Sequence, residues 1–135
     1  MISIWSPIFK VPSSVKLVTD WTVGDWEKVK FENKNILIDT SPDLRSQLLS
    51  NKIKSISKVF YTHPHADQTH GINDLRPFFL INKKQIPVYA DNLTAKYLLS
   101  TFGYCFKSSH GYPSTLKIKS LKNKHMFILF IYFLY

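Results

Sequence analysis

Apolar and polar positions fall into a readable order from residue 28 onward, and the period of that order changes from one stretch to the next. In "KVKF" (28–31) Val29 and Phe31 alternate with lysines, "ENKN" (32–35) follows, and "ILID" (36–39) is a continuous apolar run closed by Asp39. A period of two marks a strand with one wet face, and a short unbroken run marks one covered on both faces. The stretch therefore predicts a β-hairpin whose second strand is buried. Ser41 before Pro42 predicts a helix start, with a hydroxyl cap and then a proline where its missing N–H costs nothing. Leu44, Leu48 and Leu49 are expected on one face of that helix. "SKVFYT" (57–62) predicts the next buried strand and "IPVYA" (86–90) a third. Asp91 or Asn92 should cap a helix carrying Leu93, Tyr97 and Leu98, with Gly103 as its terminator. Strands alternating with helices predict a layered α/β architecture.

The two ends read differently. Residues 1–26 hold Trp5, Trp21 and Trp26 with Pro7 and Pro12 but show no clear period beyond a strand at 15–18. The stretch "MFILFIYFLY" (126–135) is ten consecutive apolar residues with neither strand alternation nor a helical face. A transmembrane helix needs roughly 17–25 such residues, so no span is expected. Three segments result: an irregular 1–26, a folded 27–118, and an aberrant basic-then-apolar 119–135 of the kind that altered termination produces. Exposed apolar surface of this sort favours self-association.

Length allows one domain, and an apolar fraction of 44% is that of a globular protein. With Cys105 as the sole cysteine and no basic-then-apolar leader, a cytoplasmic protein is expected. The net charge of +9 raises the question of nucleic acid. Sixteen of the basic residues are lysines spread along the chain, and only Arg45 and Arg76 are arginines, so nucleic-acid binding is disfavoured and a basic RNA-binding module is kept as an alternative.

The chemistry is concentrated in "YTHPHADQTHG" (61–71), which holds three of the five histidines. His63 and His65 are two apart on extended backbone, so one bend can aim both rings at a common point. Asp67 adds a hard oxygen donor one alternation later, and Gly71 is expected to allow a tight turn into the following helix. Neutral imidazoles with a carboxylate suit zinc, manganese or iron(II). The competing reading is that these polar residues merely cap the helix. Cys105 is expected in the core, Asp74 and Arg76 in a local pair or in support of the motif loop, and His110 in a solvated loop.

These stretches, with "ILIDTSPDLRSQLL" and "IPVYADNLTAKYLLSTFGYCF", resemble the metallo-β-lactamase superfamily, nearest to its bacterial branch related to phosphoribosyl 1,2-cyclic phosphate phosphodiesterase. The resemblance covers about residues 29–118. It implies roughly the first half of an αβ/βα sandwich and a metal-dependent hydrolase acting on small phosphodiesters. Against the family pattern H-x-H-x-D-H-x-x-G, His63 and His65 match first-metal ligands and Asp67 the second-metal ligand with a catalytic part. Gly71 matches the final glycine, and Asp39 an aspartate that supports the site from behind. Gln68 replaces the third histidine, for which His70 is a candidate substitute. The family's remaining ligands come from its second half, yet after residue 118 this sequence has only His125 and no Asp or Glu. At most one ion is expected, and the alternatives are a hydrolase and a truncated, non-catalytic remnant.

Overall fold

A computed structural model describes residues 8–10 and 35–120. The expected strand at 15–18, the first hairpin arm at 28–31 and the apolar stretch at 126–135 lie outside the described residues. One sheet runs in the order β1 (Ile8–Lys10), β2 (Asn35–Ile38), β3 (Lys58–Phe60), β4 (Ile86–Ala90) and β5 (Leu116–Ser120). β1 is antiparallel to β2, and the other neighbours are parallel. Parallel neighbours need crossovers, and right-handed crossovers between strands laid down in sequence order put every connecting helix on the same face. Those helices are α1 (Leu44–Ser50); α2 (Ala66–Thr69) and α3 (Arg76–Asn82), joined through a 3-10 turn at Ile72–Leu75; and α4 (Asn92–Thr101) with α5 (Gly103–Phe106). None of the described helices is long and apolar enough to cross a membrane.

The core lies between helices and sheet. Leu37, Val59, Tyr61, Val88 and Leu116 from the sheet side meet Leu44, Leu48, Leu75, Phe78 and Leu98 from the helices. Ile36, Leu37 and Ile38 are buried in succession, as the unbroken run predicts, whereas β4 buries Ile86, Val88 and Ala90 in alternation. On the sheet's other face the register neighbours Phe60 and Tyr89 stack, with ring centroids 4.8 Å apart, and Lys58 sits 5.8 Å from the Tyr89 ring.

Several expectations shift by a few residues. α1 begins at Leu44, because Pro42 and Asp43 form a turn in which Leu44 N–H donates to the Ser41 carbonyl, at 3.0 Å. Leu49 is 67% exposed, since five residues beyond Leu44 lies about 140° around a helix of 3.6 residues per turn. Leu93 is exposed to the same extent, five residues before the buried Leu98. Asp91, not Asn92, caps α4, its carboxylate accepting from Thr94 N–H at 2.8 Å. Gly103 opens α5 rather than ending α4 in a left-handed conformation. β5 runs from Leu116 to Ser120, and the Leu116/Ile118 alternation with lysines was the available signal. Cys105 is in the core, where burial pushes its thiol up to about 11, far from a thiolate nucleophile. Arg76 lies over the Tyr112 ring at 4.0 Å, and His110 is exposed in the loop before β5.

Candidate metal centre

The carboxyl ends of β2 and β3 open side by side, which is where parallel α/β sheets present ligands. Asp39 leaves β2 with a left-handed backbone, φ 58°, a conformation aspartate tolerates better than most side chains. Its N–H still donates to the Phe60 carbonyl at 2.7 Å, so the strand ends are tied at the bend. The carboxylate then reaches across to the residue after Tyr61. Thr62 N–H donates to Oδ1 and the Thr62 hydroxyl to Oδ2, both at 2.8 Å. Burial raises the Asp39 carboxyl to about 6; the two Thr62 bonds pull it down, and nearby Asp67 pushes it further up.

Thr62 passes this order on to His63, whose Nδ1 lies 2.8 Å from the Thr62 hydroxyl oxygen. The His63 and His65 rings meet edge to face, with centroids 4.5 Å apart. His65 is the residue before α2, and its carbonyl accepts from Gln68 N–H at 3.1 Å and the Thr69 hydroxyl at 2.8 Å. The two imidazoles are thereby brought together, as the H-x-H spacing suggests. Asp67 sits in the first turn of α2, where a negative side chain is favourable, and its Oδ2 accepts from the Gln68 amide at 2.8 Å. Gln68 Oε1 is buried without a hydrogen-bond partner, which costs about 1–3 kcal/mol. His70 projects to one side, its ring edge-on to Phe102 with centroids 5.6 Å apart.

The loop is anchored from beneath by residues the sequence reading overlooked. Thr40, fully buried, donates its N–H to the Gln68 carbonyl at 2.6 Å and accepts Gly71 N–H at 2.9 Å. Its hydroxyl donates to the Thr69 carbonyl at 3.1 Å, so the Tyr61 phenol 2.8 Å away is the donor to Thr40. Burial holds the Tyr61 phenol far above its ordinary pKa, so it serves as a fixed donor. A tyrosine ending an apolar run and threonines next to Asp39, His63 and His70 were the signals available. Gly71 also has a different role from the one expected. Its φ of −84° is open to any residue, but a Cβ there would lie 2.0 Å from the Ser41 carbonyl oxygen. The glycine is needed for close approach rather than for the turn.

The donors fit one divalent transition metal in kind: two adjacent imidazoles and a carboxylate on one loop, with an orphaned amide oxygen beside them. Among the described residues, no three His, Cys, Asp or Glu side chains form a ready ligand cluster. Asp67 is held by Gln68 instead, and His70 by Phe102.

Comparison with known proteins agrees with this architecture. Residues 34–128 match the family model described as "Beta-lactamase superfamily domain". An octanoyltransferase of Porphyromonas gingivalis is 36% identical over 86 residues, which are 64% of this chain and 17% of that protein. Among solved structures, a diphosphatase from the PhnP family superposes with a TM-score of 0.57 at 34% identity, covering 67% of this chain and 34% of that one. The Zn(2+)-bound PqqB from Methylobacterium extorquens gives a TM-score of 0.45 at 19% identity, over 65% of this chain and 29% of that one. The chain thus spans about a third or less of each relative's length. A family match across most of the chain, on the sheet and loop described above, makes it a member of the metallo-β-lactamase superfamily.

Proposed function

We propose that this chain is the metal-holding part of a hydrolase of phosphodiester or diphosphate bonds, taking one divalent transition metal at His63, His65 and Asp67. The observation that carries the reading is the paired imidazoles at the mouth of a parallel strand, braced through Thr62 by Asp39. Bracing of this kind is what metal-binding histidines require, because an outlying hydrogen bond fixes both tautomer and ring orientation. Zinc, manganese and iron(II) all suit the donors, and His70 is a further nitrogen donor in place of the histidine that Gln68 displaces. Such a metal supplies Lewis acidity, lowering the pKa of water and polarising a phosphoryl oxygen. Asp67 is the residue nearest that chemistry. The likeness to a diphosphatase supports the substrate class. A lone cysteine, buried, suits a reducing setting such as the cytoplasm.

The chain alone is expected to bind without turning over. One loop cannot build the two-metal clamp on attacking and leaving oxygens, and the sequence after residue 118 offers only His125 and no Asp or Glu. With zinc or manganese added, hydrolysis of bis-p-nitrophenyl phosphate should stay at the buffer rate. Metal-dependent turnover that disappears in Asp67→Ala would overturn this and make the chain an enzyme on its own.

A further inference from the structure

Two of the three histidines in the loop directly follow a threonine, and both pairs are wired alike. The Thr62 hydroxyl gives its one proton to Asp39 Oδ2 at 2.8 Å, and its oxygen lies 2.8 Å from His63 Nδ1. The Thr69 hydroxyl gives its proton to the His65 carbonyl at 2.8 Å, and its oxygen lies 3.2 Å from His70 Nδ1. A hydroxyl has one proton to donate and lone pairs to accept with. Since each proton is already committed to an acceptor, the contact with the ring can be made only by Nδ1–H donating to the threonine oxygen. For Thr69 the acceptor is a carbonyl, which can never donate. For Thr62 it is a carboxylate, acceptor-only whenever Asp39 is ionised. His65 follows Pro64, which offers no hydroxyl.

We propose that Thr62 and Thr69 are positioning residues that lock His63 and His70 in the Nδ1–H tautomer, leaving Nε2 of each as the nitrogen offered to a metal. This tautomer is the opposite of the one histidine favours in water, so the protein must impose it. The inference rests on the metal-binding reading for its purpose but not for its geometry. It gives His70 a role that the family pattern does not contain: a second imidazole prepared in the same way as the first.

Histidine-labelled, metal-free protein at pH 7.5, studied by long-range ¹H–¹⁵N correlation, reads the tautomers directly. His63 and His70 should each show a protonated Nδ1 and a bare Nε2. Thr62→Val should release His63 alone and Thr69→Val should release His70 alone, while Thr62→Ser should restore the locked form. Zinc affinity should fall about 10–100-fold in Thr62→Val and recover in Thr62→Ser, the usual effect of removing an outlying partner of a metal-binding histidine. An Nε2–H tautomer at His63 and His70 in the unsubstituted protein, or tautomers unmoved by either valine, would overturn the proposal. Correct tautomers in a protein that takes up no zinc would leave the lock standing and sink the proposed function instead.

Discussion

Asp39 combines a left-handed backbone with a carboxylate that accepts both hydrogen bonds Thr62 can donate. Its carboxyl, raised by burial from 3.8 to about 6, is easier to protonate in the folded chain than in the unfolded one. Between these two values the native state holds more protons, so stability rises as pH falls. The contribution is full below the unfolded value and is lost as pH climbs through about 6. Two units correspond to about 3 kcal/mol. Unfolding in urea from pH 7 to 4 should therefore show the protein gaining about that much relative to Asp39→Asn, which cannot titrate. A difference independent of pH, or one that grows as pH rises, would contradict the assignment. Gly71 gives a second test at this scale. Gly71→Ala drives a methyl into the Ser41 carbonyl and should cost at least about 1–3 kcal/mol, whereas nothing lies within 4 Å of a Cβ at Gly103. Gly103→Ala should be neutral or stabilise by up to about 1 kcal/mol. The closeness of the His63 and His65 rings was legible in the sequence, because their spacing alone sets it. Thr40, Thr62 and Thr69 were not, because a threonine's importance lies in which distant carbonyl or carboxylate its hydroxyl meets.

Among elements, β4 was legible to the residue, because an alternating apolar run bounded by polar residues admits one register. α1 was misplaced by two residues, since Ser41-Pro42 can open either a helix or a turn, and here Leu44 N–H closes a turn on the Ser41 carbonyl. α4 shows a cap working as its sequence implies. Asp91→Ala should lower stability by about 1 kcal/mol, with a matching drop in the urea midpoint, while Asp91→Asn, which keeps an accepting oxygen, should change little. Equal losses from both would contradict the cap. α2 escaped notice because four residues are too few to establish a helical period.

For the whole molecule, the layered α/β class follows from strands alternating with helices, and the sequential strand order then puts every described helix on one face. The opposite face carries Phe60 and Tyr89 with Lys58, Lys117 and Lys119 in register around them. For the apolar stretch 126–135 self-association is expected from composition, because each large apolar side chain that stayed in water would forgo roughly 1.5–3 kcal/mol. A version ending at residue 120, which retains all of β5, should be the more soluble and should keep its cooperative unfolding. Lower solubility or loss of a sharp transition would show that these residues complete the core. One loop is expected to hold one metal. Equilibrium dialysis against zinc followed by metal analysis tests it most directly, on the unsubstituted chain and on His63→Ala/His65→Ala. One ion per chain should be retained, and it should be lost in the double variant; two tightly held ions, or zinc retained without both histidines, would contradict a one-metal loop.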